Sequence, residues 1–253
     1  MSRLISSNDI LFARRAIAPG SAVPSPVTFG EPILDGRLGG GLAQRALHEF
    51  YAVSSEDAPA AAGFATMVAM RGCAPGRPVV WIREDAGVRR SGGLYAAGLA
   101  ELGFDPGNLV LVQTSDMRAL LRAAADTVKC GQVGAVVVEP WGKAPLLDLT
   151  ASRRLSMAAA ASGVFTLMLR VDALPVPSAA HTRWQVAAAP STALAASAPG
   201  HPAFDIMLLR HRGGVAGFES RLEWNRDRAS FAPLSGGVPA ASAVGADWQR
   251  QAA

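Results

Sequence analysis

Apolar residues in this chain gather into short unbroken runs, and the segments between those runs carry apolar positions at helical spacing. Residues 46–52, Ala-Leu-His-Glu-Phe-Tyr-Ala, read as a strand. A helix follows, with Asp57 at its cap and Pro59 in its first turn, and Phe64, Met67 and Val68 fall on the row that faces a sheet. Further apolar strands are predicted at 78–82, 109–112, 135–138 and 164–169. Helices are predicted between them: 94–102, stopped by Gly103; a segment capped by Ser115 that carries Leu120, Leu121, Ala124 and Val128 and ends at Gly131; and 148–161, stopped near Gly163. Wholly apolar strands alternating with amphipathic helices predict a parallel sheet covered on both faces.

Beyond Pro175 the alternation stops. Residues 184–189, 204–209 and 218–224 read as strands without intervening helices, and Gly213-Gly214 marks a hairpin turn between the last two. The expected fold is therefore α/β, a mostly parallel sheet flanked by helices with an antiparallel C-terminal strand extension. Ahead of the sheet, residues 7–18 form a short predicted helix ended by Pro19-Gly20, Pro24, Pro26 and Pro32 read as an extended linker, and 33–42 reads as a glycine-rich turn. After Phe231 the chain is too poor in apolar residues to order itself. The expected organisation is an N-terminal helix and linker at 1–27, a core at 28–232 and a flexible tail at 233–253. In that tail Trp248, beside Asp247 and Arg250, either folds back on the core or anchors a partner.

A strand followed by a helix is where a nucleotide-binding protein holds its phosphates, on a loop of the form G-x-x-x-x-G-K-[ST]. This chain has Ala52-Val53-Ser54-Ser55-Glu56-Asp57-Ala58-Pro59-Ala60, with no glycine. Its only lysines are Lys129 and Lys143, so none is available near the loop. Glu56 and Asp57 place negative charge where a polyphosphate would sit. The pattern is that of an NTPase without its phosphate grip, and no cofactor, metal or catalytic residue is expected.

Length and charge sharpen the picture only slightly. The 253 residues, 50% of them hydrophobic, suffice for one large domain or one domain with tails. No apolar run approaches a membrane span and no signal peptide is legible, so a cytoplasmic protein without membrane contact is expected. Cys73 and Cys130 have no metal spacing, and neither do His48, His181, His201 and His211; His48 reads as a satisfied core residue. Net charge is +4, with 24 basic residues that are all arginine apart from the two lysines. The arginine clusters Arg89-Arg90, Arg153-Arg154 and Arg210-His211-Arg212 read either as solvated faces or as contacts to DNA or an acidic partner.

The order of these features resembles the RecA-like ATPase core. The resemblance rests on Leu34-Asp35, Leu38 to Leu42, the strand from Arg45 to Tyr51, the strand Val80-Trp81-Ile82-Arg83-Glu84-Asp85, Leu94-Tyr95-Ala96, Leu102-Gly103-Phe104 and Val136-Val137-Val138-Glu139. It implies that Glu139 stands where a magnesium-linked acid would be, and Glu84 or Asp85 where a water-activating glutamate would be. With Ser54 and Ser55 these make a vestigial pocket, their acids placed at strand ends because solvent is there. The superfamily's DNA loops would fall at 141–147 and 174–181, which carry only Lys143 and His181 as basic groups. Within the superfamily, the dismantled phosphate loop and Ala/Arg-rich composition look like the ImuA family of inducible mutagenesis proteins. That resemblance implies a non-catalytic accessory role in damage-induced translesion synthesis. The implied partners are an ImuB-like inactive Y-family polymerase homologue and an error-prone replicative-type polymerase, with RecA a further candidate and DNA contact weak. Candidate contact residues are Trp248, Arg250, Arg153, Arg154, Arg210 and Arg212. The alternatives are a divergent ATPase of DNA repair, with Lys143 as the one internal donor, and a RecA-like cell-division inhibitor.

Overall fold

The computed structural model describes residues 24–194, 196, 198–213 and 217–234. The predicted helix at 7–18, Gly214 and the tail with Trp248 and Arg250 lie outside them. Nine strands form one sheet: β1 (Leu47–Ala52), β2 (Val79–Glu84), β3 (Leu109–Thr114), β4 (Ala135–Glu139), β5 (Phe165–Arg170), β6 (Thr182–Ala189), β7 (Ala203–His211), β8 (Glu219–Asn225) and β9 (Ser230–Pro233). Their spatial order is β3-β2-β4-β5-β1-β6-β7-β8-β9. The first six in that row run parallel, and β7, β8 and β9 continue antiparallel from β6. The crossover from β5 to β6 passes over β1 without a helix.

Six α-helices lie among the described residues: α1 (Pro32–Arg37), α2 (Ala58–Gly72), α3 (Asp85–Ser91), α4 (Ala96–Glu101), α5 (Met117–Val128) and α6 (Leu149–Ser162). Alternate residues of each central strand face opposite ways. Phe50, Trp81, Val137 and Leu167 pack toward α2 in an aromatic-rich layer with Phe64, Trp184, Phe204, Trp224 and Phe231. Leu47, Ile82, Val136, Val138 and Met168 pack toward Leu120, Ala124 and Val128 of α5 and Leu155 and Ala159 of α6. The two faces are covered by different helices, as continuous apolar strands require.

Local chemistry explains where the sequence reading and the structure part. Pro32 does not extend a linker but opens α1, whose first amides, Ile33 N and Leu34 N, are accepted by the Glu31 carboxylate. Asp116, not Ser115, caps α5, accepting from Ala119 N at 2.8 Å. Asp148 caps α6 in the same way through Ala151 N, and Gly163, at φ +79°, ends it. α3 and β9 are additions to the predicted set. β9 is held by hairpin pairing to β8 and by Phe231 N donating to Phe29 O, the latter a contact between residues far apart in the chain.

Helix α2 lies close over β5 because Gly72 has no side chain. A Cβ at Gly72 would overlap the ring of Phe165, which is fully buried. Gly72→Ala is therefore expected to cost about 1–3 kcal/mol by overpacking, despite alanine's better helix propensity. Urea unfolding measures it, and an unchanged midpoint would mean that the Phe165 ring has room to move.

Candidate functional site

In an open α/β sheet, ligands sit beyond the carboxyl ends of the parallel strands where the strand order reverses. Here the chain leaves β1 toward one edge and crosses from β5 to β6 on the other side of β1. The loops after β1, β4 and β5 meet at that place, around a cavity of about 470 Å³ lined by Ser55, Glu56, Pro59, Arg90, Trp141 and Asp172. Trp141 forms a parallel bridge with Val171, and Gly142 N donates to Val171 O at 2.8 Å, so the loops after β4 and β5 run side by side. Arg90 and Asp172 face each other at 4.0 Å, both well exposed, a pair of small energetic weight.

The loop between β1 and α2 is closed on itself. Ser54 N and Ser54 Oγ both donate to Asp57 Oδ2, at 3.2 and 2.8 Å, while Asp57 Oδ1 accepts from Ala188 N of β6 at 2.9 Å. Asp57 occupies the cap position of α2 but makes no capping bond to it. A phosphate at this turn would have to displace a carboxylate that the protein supplies itself, and its neighbour Glu56 lines the cavity. Val53 N is likewise committed, to Val186 O at 3.1 Å.

Glu139 ends β4 opposite Arg83 of β2, and Val137 pairs with Trp81 two residues earlier. These side chains lie on one face of adjacent strands. Arg83 Nη2 donates to Glu139 Oε1 at 2.9 Å, Trp81 Nε1 donates to Oε2 at 2.6 Å, and Arg83 Nε lies 2.8 Å from Oε2 without hydrogen-bond alignment. Arg83 also donates to Gly92 O and Ser91 Oγ, which ties the end of α3 to the pair. Glu139 is 3% exposed, so the expectation of an acid held at a strand end by solvent fails here. Burial pushes its carboxyl above the ordinary value, with Arg83 and Trp81 opposing. A guanidinium fills the place beside Glu139 that a divalent cation would need.

The remaining predicted residues are spread out. Ser55 lines the cavity, and Ser54 is bound to Asp57. Glu84 is half-buried, its carboxyl raised by burial against the opposing amide of Trp141, with Oε1 lacking a partner among the described residues. Asp85 is partly buried in the first turn of α3. Neither Glu84 nor Asp85 lines the cavity. Among the described residues no group of three or more His, Cys, Asp and Glu is placed to hold a metal ion. The residues present do not fit a magnesium nucleotide: the turn's amide is spent, the acid is paired with arginine, and the loop has no lysine or glycine.

Arg210 and Arg212, read from sequence as solvated or partner-facing, are exposed, and each also donates to the β5–β6 crossover. Arg210 donates to Ser178 O at 3.1 Å and Arg212 to Ala179 O at 3.4 Å. Arg183 joins them, donating to Val176 O and Ser178 Oγ while pairing with buried Glu49 at 3.0 Å. Arg153 and Arg154 are exposed on α6. Sequence reasoning missed Arg83, Trp81 and Arg183. The one legible sign was that Arg83 sits inside an otherwise apolar strand.

Two curated sequences match most of the chain, both called Protein ImuA, from Caulobacter vibrioides strains NA1000/CB15N and ATCC 19089/CB 15. Each is 36% identical over 215 residues, which cover 78% of this chain and 84% of the relative. The chain belongs to the ImuA family. No family model matches it. Among solved structures, the crystal structure of the RadB recombinase superposes with a TM-score of 0.54 at 15% identity, covering 83% of this chain and all of that one. This ImuA-family chain thus has a RecA-like fold. No helix among its described residues is long and apolar enough to cross a membrane.

Proposed function

We propose that this ImuA-family chain is a non-catalytic accessory protein of damage-induced translesion DNA synthesis, a RecA-like scaffold for an error-prone polymerase complex. Family membership supports the mutagenesis role. The observation that carries the non-catalytic part is the turn before α2, where Asp57 takes the amide and hydroxyl of Ser54. The Arg83–Glu139 pair adds to it, since an acid neutralised by a buried guanidinium has no charge to offer magnesium. The partners of this reading are an ImuB-like inactive polymerase homologue and a replicative-type error-prone polymerase, with RecA as a further candidate.

A divergent ATPase is the second reading, favoured by the cavity between Ser55 and Arg90. Titration of the purified protein with magnesium ATP separates the two. The scaffold reading expects no saturable binding tighter than about 1 mM, on the order of 4 kcal/mol, and no effect of Lys143→Ala on damage-induced mutation frequency. Micromolar ATP binding, with hydrolysis lost in Glu139→Gln, would overturn it. Recovery of the division tubulin homologue in place of polymerase components would select a cell-division role instead.

A further inference from the structure

The outer surface of α5 and α6 is not used by anything described above. Both helices bury their inner faces against the same side of the sheet and pack beside each other. On α6 the outward row is Leu149, Arg153 and Met157, spaced four residues apart, with Arg154 next to it. Met157 is 66% exposed and Leu149 45% exposed, two large apolar side chains held on a regular helix. On α5 the outward residues include Arg122, and Lys129 is exposed just past its end. Among the described residues none of Arg122, Lys129, Arg153 and Arg154 takes part in an ion pair. The nearby acids are fewer and partly committed, Asp148 to the amide of Ala151 and Asp116 to that of Ala119, which leaves Asp126.

We propose that this face docks an acidic amphipathic helix of a partner protein, with Leu149 and Met157 taking its apolar row and the four cations taking its carboxylates. The inference rests on the scaffold reading and names the surface that the scaffold presents. Geometry sets what the partner must carry. Leu149 and Met157 are separated by eight residues, about 12 Å along the helix axis. A helix lying along α6 matches them with apolar residues at i and i+7 and acids at i+3 or i+4, opposite Arg153 and Arg154. Phosphate groups would satisfy the cations but would leave the two exposed apolar side chains without a role. That is why a protein helix is favoured over nucleic acid.

The test uses the full chain and a fluorescein-labelled synthetic helix of about 18 residues, leucine at every seventh position and glutamate between. Its control is a peptide of the same composition with the leucines scattered around the helix. Anisotropy at physiological salt is expected to show binding of the first peptide, weakened roughly ten-fold or more by Met157→Ser and by Arg153→Glu with Arg154→Glu. Arg228→Glu, on the turn between β8 and β9, is expected to leave it unchanged. Equal binding of the scattered peptide, no effect of Met157→Ser, or displacement of the peptide by a single-stranded oligonucleotide that binds more tightly would overturn the proposal. In cells, the Arg153→Glu, Arg154→Glu variant at normal protein level is expected to lose damage-induced mutagenesis. If mutagenesis persists, this surface assignment fails while the scaffold reading, tested by ATP titration, still stands.

Discussion

Replacing Arg83 with alanine will destabilise the fold by about 3–5 kcal/mol, the usual cost of stranding one partner of a buried ion pair. Arg83 and Glu139 are 7% and 3% exposed at the side chain, and removal of the guanidinium leaves the carboxylate with only Trp81 Nε1 as a donor. Burial raises the Glu139 carboxyl against the attraction of Arg83, and in a buried pair desolvation generally offsets most of the Coulombic gain. For that reason the pair adds little net stability while being costly to split. The double variant Arg83→Met, Glu139→Gln is accordingly expected to recover most of the loss, since the amide of glutamine still accepts from Trp81 and no charge remains. Urea denaturation of Arg83→Met, Glu139→Gln and the double variant that combines them measures the coupling. Additive losses would show that the two side chains are not joined as described.

Acidification below neutrality will cost the protein stability through His48. This imidazole is fully buried and satisfied at both nitrogens: Trp184 Nε1 donates to Thr182 Oγ1, Thr182 in turn faces His48 Nδ1 at 2.7 Å, and Nε2 lies 2.9 Å from Ala43 O. Nε2 therefore carries the proton and Nδ1 accepts. Burial lowers its pKa from 6.5 to about 3, the acceptor Ala43 O opposes, and the rings of His181 and His211 add to the depression. The unfolded chain takes up this proton near pH 6.5, the folded chain only near 3. The contribution is thus complete above 6.5 and is lost as pH falls toward 3, at about 1.4 kcal/mol per unit. Between pH 6 and 4.5 the expected loss is about 2 kcal/mol. His48→Gln, which can keep both hydrogen bonds, should flatten that slope in urea titrations at a series of pH values. Parallel slopes for the variant and the parent protein would remove His48 as the source.

The central architecture was legible because it is written locally. Val136, Val137 and Val138 make a run that no amphipathic element tolerates, Asp148 and Gly163 bracket α6, and Phe64 and Met67 mark the buried side of α2. What stayed hidden depends on partners distant in the chain. β9 is tied to Phe29 by Phe231, and the crossover is held by Arg210 and Arg212, exposed side chains whose donors reach Ser178 O and Ala179 O. The same holds at the candidate site. The absence of a lysine and glycines from the loop before α2 is visible in the letters, but the bond from Ser54 to Asp57 and the pairing of Arg83 with Glu139 are visible only in three dimensions.

The crossover after β5 has a further consequence. With Arg183, Arg210 and Arg212 each gripping its carbonyls and Ser152 Oγ accepting from Ala179 N, the link is pinned from both sides. The link is therefore preorganised, and a partner docking against it would find its shape already set by the protein's own hydrogen bonds, with little ordering cost to meet.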